Sequence, residues 1–170
     1  EAYKLAQNYV KRFREMREKN QGLLFYGPVG TGKSFTAACI ANALMEQNIT
    51  VIMTSFVKIL QDIGTGDEAS YIQILNSASL LIIDDLGAER NTDYALEKVY
   101  NVIDSRIRTD KPMILTTNLE LSEMLQTTDI RYRRVYDRIF ETCYPVEMPG
   151  KSFRQIEAAQ RFNDMKELLQ

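Results

Sequence analysis

Residues 25–36 read FYGPVGTGKSFT, and this stretch decides the fold. It follows the apolar run LLFY (23–26) and precedes the alanine-rich segment 33–46. Gly27-Pro28-Val29-Gly30-Thr31-Gly32-Lys33-Ser34 fits G-x-x-x-x-G-K-[ST] at every fixed position. Gly27, Gly30 and Gly32 open backbone angles closed to residues with a Cβ and allow close approach to a phosphate. Successive N–H groups then converge on an anion, backed by a helix N-terminus. Lys33 brings a positive charge to the β- and γ-phosphates, and the Ser34 hydroxyl suits Mg²⁺. With Phe35 as the next helical residue, 27–35 form the expected nucleotide-binding set. Without its strand and helix the motif would be a glycine-rich turn with an accidental lysine; here both flanks are present.

The rest of the chain suits that reading. A length of 170 residues predicts one domain with a real core. Hydrophobic content of 45% and charged content of 26% belong to a globular protein. A net charge of −2 removes any global electrostatic case for nucleic acid or membrane, so such a surface must be local. With no histidine, histidine acid–base chemistry is excluded, and Cys39 and Cys143, without CxxC spacing, argue against zinc. Both are expected to be reduced thiols in a cytoplasmic protein with no membrane span.

Periodicity predicts a helix over 3–19 ended by Asn20-Gln21-Gly22, and further helices over 33–46, 55–62 and 69–77, with IGTGDEAS (63–70) as the break between the last two. Helices are also expected over 92–109, 120–126, 130–141 and 153–170. Strands are expected at 23–26, 50–55, 80–85, 112–118 and 143–148. The alternation implies parallel βαβ units and a three-layer α/β domain, whose ligand sits at the carboxyl ends of the strands. The expected organisation is one domain: an N-terminal helix within 1–20, a phosphate-loop core over 21–150 and a C-terminal helix over 151–170.

Three further elements fall at that edge. LLIIDD (80–85) is an apolar strand ending in two acids; Asp84 is the expected Mg²⁺-side carboxylate, and Asp85 would orient and polarise the attacking water. Alternatively the pair only starts a loop and caps a helix. Thr116-Thr117-Asn118 ends the fourth strand; Asn118 would hold the water or the γ-phosphate, or else cap a turn. Of the four arginines between Ile130 and Phe140, Arg131 and Arg133 read as a solvated face. Arg134 and Arg138 stand four apart and could reach an anion on a neighbouring subunit, a contact worth roughly 10³–10⁵ in rate. Arg154 could close over the phosphates of its own subunit.

Taken together, GPVGTGKS (27–34), LLIIDDLGAE (80–89), ILTTN (114–118), RVYDR (134–138) and SFR (152–154) resemble the AAA+ ATPases. More narrowly they resemble the bacterial replicative-helicase loaders of the DnaC/DnaI type and the related IstB transposition ATPases. The resemblance covers nearly the whole chain. It implies a sheet of order 5-1-4-3-2, with Asn118 as the strand-four sensor and Arg138 as an arginine finger in trans. Arg134 would be a second finger candidate and Arg154 the second sensor, in cis. It also implies ATP/ADP and Mg²⁺ as ligands, ATP-controlled assembly into an open spiral, single-stranded DNA binding and docking to a hexameric DnaB-type helicase.

Two departures from that pattern matter. Many AAA+ proteins carry Asp-Glu where this chain has Asp84-Asp85; the shorter side chain predicts slow turnover, with Glu89 as a fallback base. The chain begins about two dozen residues before the phosphate loop and has no long helical lid after the fifth strand. The expectation is therefore an isolated ATPase domain whose N-terminal helicase-binding region lies elsewhere. Competing readings are a transposition helper, a small-molecule kinase and an ATP-binding scaffold without turnover. DNA is expected near 54–76, where Lys58 is the cation and Tyr71 either stacks on bases or is simply buried.

Overall fold

Five apolar strands separated by helices order themselves into one all-parallel sheet. The computed structural model describes residues 1–87 and 92–169. The strands are β1 (Gly22–Tyr26), β2 (Val51–Ser55), β3 (Leu80–Leu86), β4 (Met113–Thr117) and β5 (Cys143–Glu147), in spatial order β2-β3-β4-β1-β5. That is the expected 5-1-4-3-2 order, read from the other edge.

Side-chain alternation divides the core between the two faces. Leu23, Phe25, Leu80, Ile82 and Ile114 face a cluster completed by α1 (Ala2–Lys11), α2 (Phe13–Glu18) and α3 (Lys33–Met45). Leu24, Leu81, Ile83, Met113 and Leu115 face the opposite cluster. It is built with α4 (Phe56–Thr65), α5 (Glu68–Ser77), α6 (Asp93–Arg108), α7 (Leu121–Gln126) and α8 (Ile130–Thr142). LLII in β3 is therefore apolar throughout because both of its faces are covered. Ala37 and Ala41 are buried where α3 packs on the sheet.

Several boundaries differ from the sequence-based expectation. The single helix expected over 3–19 bends at Arg12 (φ −108°, ψ 20°), which divides α1 from α2. The bend lets Tyr9 and Phe13 enter the same cluster edge to face. The helix expected to stop at 62 runs through Thr65, because Ile63 completes the buried stripe begun by Phe56 and Ile59. Gly66 ends it, and the Asp67 side chain caps α5 by accepting from the Ala69 and Ser70 amides. The C-terminal helix α9 (Phe153–Leu168) has no buried residue among those described. No helix among the described residues is long and apolar enough to cross a membrane.

One buried cation holds the amino ends of the central strands. Arg106 on α6 is fully buried and donates to the carbonyls of Pro112 (2.8 Å), Ala78 (3.0 Å), Ser79 (3.2 Å) and Leu75 (3.5 Å). Burial pulls its pKa down to about 10. Arg106→Leu keeps the bulk and strands these carbonyls, so it should cost about 3–5 kcal/mol in urea unfolding. A loss below about 1 kcal/mol would mean that water satisfies them instead.

Candidate functional site

The phosphate loop leaves β1 at Tyr26 and enters α3 at Lys33. Gly27, Gly30 and Gly32 have φ of 125°, 82° and 94°, in the region that favours glycine. Gly30 is also sterically committed: a Cβ there would lie 2.1 Å from Ser152 Oγ, and its carbonyl accepts the Phe153 amide at 3.0 Å. The turn into α9 thus rests on the loop, with the Phe153 ring against Gly32. Pro28 and Val29 form the outer turn, and the Thr31 hydroxyl donates to the Pro28 carbonyl at 2.9 Å. Ser34 and the exposed Phe35 open α3.

Lys33 is buried, and its Nζ donates to the carbonyls of Gly27 (2.8 Å) and Pro28 (2.6 Å). Burial lowers its pKa, opposed by the negative charges of Asp85 and then Asp84; Arg154 adds to the lowering. That balance brings residues from the start of α3, β3 and the start of α9 into one electrostatic neighbourhood.

The two acids do not cap a helix: Thr92 caps α6, accepting from the Ala95 amide. Between Ile83 and Leu86 the register of β3 against β4 shifts by one residue, a β-bulge, and Asp85 adopts φ +62°. Asn118 Nδ2 donates to Asp85 Oδ1 at 2.9 Å. Nor does Asn118 cap α7, whose N-terminus is closed by a reciprocal Glu120–Glu123 capping box. Thr117 closes the turn after β4 instead, donating to the Leu86 carbonyl and accepting the Leu119 amide. Glu89 lies outside the described residues.

Were Mg²⁺ bound, the Ser34 hydroxyl and the Asp84 carboxylate would be the hard oxygen donors to hold it. Among the described residues no group of three or more acidic, cysteine or histidine side chains is placed to hold a metal by itself. A sparse oxygen set suits Mg²⁺, which keeps several waters and is held largely through phosphates.

The remaining arginines are not all at the loop. Arg154 is the second residue of α9, next to the Phe153 amide that joins the loop. Arg138 pairs with Glu141 on α8 (2.8 Å) and Asp104 on α6 (2.8 Å); the bond to Glu141, then one to Tyr100, and the nearby Asp104 charge raise its pKa. Arg134 stacks 5.0 Å from the centre of the Tyr100 ring. Both therefore line one cleft between α6 and α8, with Asp137. Arg131, expected on a solvated face, is half exposed and pairs with Asp129 and Asp93. Near 54–76, Lys58 (2.6 Å) and the Tyr71 hydroxyl (2.8 Å) share Asp62, so Tyr71 is a half-buried hydrogen-bonded side chain packed on the core.

Sequence reasoning gave no role of their own to Thr116 and Ser152, although both stand in quoted motifs, and none to Glu120 and Asp104. Thr116 alone had a usable signal: near the end of β4 it stands two residues before Asn118, the spacing of side chains on one face of an extended segment. Glu120 closes α7 locally with Glu123, whereas Ser152 meets Gly30 and Asp104 meets Arg138 only through tertiary packing.

Comparison with known proteins gives a consistent picture. The model for the IstB-like ATP binding protein family matches residues 2–161. The replicative helicase loader DnaI of Bacillus subtilis is 25% identical over 162 residues, covering 86% of this chain and 51% of that protein. A putative ATP-binding protein in an insertion sequence of Mycobacterium tuberculosis is 26% identical over 143 residues, covering 81% and 57%. The chain thus spans about half the length of these curated relatives. A DnaI crystal structure superposes with a TM-score of 0.72 at 23% identity, covering 88% of this chain and 80% of that one, a likeness of fold. With its phosphate loop, its acid-tipped third strand and a family match over nearly its whole length, the chain belongs to the IstB-like ATP-binding protein family.

Proposed function

We propose that this chain is the ATPase module of a replicative-helicase loader in the cytoplasm, using ATP binding and slow hydrolysis to control its own assembly. The observation that carries the reading is the Asn118–Asp85 bond beside Lys33, in a chain similar to a named replicative helicase loader. Water attacks the γ-phosphorus, its proton passes to Asp85, the bond to the β-phosphate oxygen breaks, and ADP leaves. Asn118 aims the Asp85 carboxylate. The loop amides and Lys33 hold the phosphates, and Arg154 closes over them from α9. Ser34 and Asp84 would hold Mg²⁺, which neutralises charge on the β- and γ-phosphates. A kinase needs an acceptor site at this position; a carboxylate aimed by an amide suits water better.

In this reading the module assembles as an ATP-dependent spiral, binds single-stranded DNA and delivers a hexameric DnaB-type helicase. Arg138 acts in trans on a neighbour's nucleotide, with Arg134 as the alternative. In the single chain Arg138 is held by Asp104 and Glu141, so engagement exchanges two carboxylates for a phosphate. The relative from an insertion sequence favours a second reading, a transposition helper with the same ATP chemistry.

The test is size measurement with ATP analogue, with ADP, and with single-stranded DNA. Arg138→Ala should hold ATP-analogue affinity within about threefold, abolish ATP-dependent assembly, and lower turnover by about 10³. Normal hydrolysis by dilute Arg138→Ala protein would end the trans assignment. Assembly indifferent to nucleotide in the parent would end the loader reading.

A further inference from the structure

The Thr116 side chain stands between the two acids. It is 2% exposed, in the last full turn of the pleat of β4. Its hydroxyl donates to Asp84 Oδ1 at 2.6 Å and accepts the Asp85 amide at 2.9 Å. A hydroxyl has one proton to give, so this one is committed to the carboxylate. The amide it accepts belongs to the bulged residue at φ +62°, whose N–H is thereby bonded to a side chain of the neighbouring strand.

These two bonds do different things. The first clamps one oxygen of Asp84, so the carboxylate presents its other oxygen in a fixed direction. The second pins the bulge that turns Asp85 toward Lys33 and Asn118. Asp85 in a regular ladder would alternate to the opposite face from Asp84. With the extra residue accommodated by the bulge, both carboxylates act on Lys33.

We propose that Thr116 is a positioning residue of this site, its hydroxyl setting the direction of the Asp84 carboxylate and the backbone bulge that aims Asp85. The inference rests on the ATP-site reading. It assigns a role to the strand-four residue two positions before Asn118, distinct from contact with water or phosphate. Removing an outer-shell partner of a metal-binding carboxylate characteristically costs 10–100-fold in metal affinity or activity.

Thr116→Val keeps the shape and removes the hydroxyl, and Thr116→Ser restores it. The readouts are binding of a fluorescent ATP analogue without divalent metal, Mn²⁺ binding followed by electron paramagnetic resonance in the presence of that analogue, and turnover. The expected result for Thr116→Val is unchanged metal-free nucleotide affinity, Mn²⁺ affinity reduced by 10–100-fold and turnover reduced at least as much. Thr116→Ser should return both within about threefold of the parent. Should Thr116→Val fail to fold, Thr116→Cys, near in size with a weak donor, takes its place with the same expectations. Parental Mn²⁺ affinity in the hydroxyl-free variant, or a serine variant that rescues nothing, overturns the proposal. A parent protein that binds no nucleotide instead overturns the ATP-site reading itself.

Discussion

Lys33→Ala should lower ATP-analogue affinity by about 100-fold or more, equivalent to ~2.7 kcal/mol. The ammonium is held inside the loop by the carbonyls of Gly27 and Pro28. Its burial and depressed pKa mean that the folded protein bears a desolvation cost for this charge. A triphosphate repays that cost through charge-assisted bonds in a site of low local dielectric. Deleting the lysine should therefore remove nucleotide binding while leaving the fold nearly as stable, because the desolvation cost disappears with it. Thr31 continues to satisfy the Pro28 carbonyl. The check is an equilibrium titration with the ATP analogue alongside a thermal melt. Affinity equal to the parent would remove the basis for every role assigned at this edge of the sheet.

The second large effect belongs to the other acid. Asp85→Asn should reduce turnover by about 10²–10⁴ with ATP-analogue affinity retained within about threefold. The substitution is conformationally clean, since asparagine tolerates the left-handed region at φ +62° as well as aspartate does. Its amide oxygen can still accept from Asn118, so the geometry survives and only the proton acceptor is lost. Single-turnover hydrolysis with excess protein separates this loss from any change in assembly. Undiminished hydrolysis would move the base to another carboxylate, with Glu89 the candidate the sequence supplies. The same geometry explains the aspartate: a short side chain that tolerates positive φ suits the bulge. Asp85→Glu, although it restores the pair many AAA+ proteins carry, should therefore give no gain in turnover, because a longer chain must adopt the same left-handed backbone.

The sequence by itself determined the class of molecule and the address of its chemistry. GPVGTGKS between an apolar strand and an alanine-rich helix can do little else, and LLIIDD needs both sheet faces covered. Such local signals suffice because the loop backbone and strand periodicity are properties of neighbouring residues. The parallel order of the strands then places Asp84, Asp85 and Asn118 beside the loop. Only the tertiary structure decided how those side chains engage. The bulge at Asp85, the Thr116 bridge, the seat of Ser152 on Gly30 and the pairing of Arg138 with Asp104 each join residues more than 30 positions apart. No period or propensity encodes such a meeting; it follows from which strands lie side by side and how closely their backbones pack. For the same reason the 55–62 helix was foreseen too short: whether Ile63 is buried depends on the sheet beneath it.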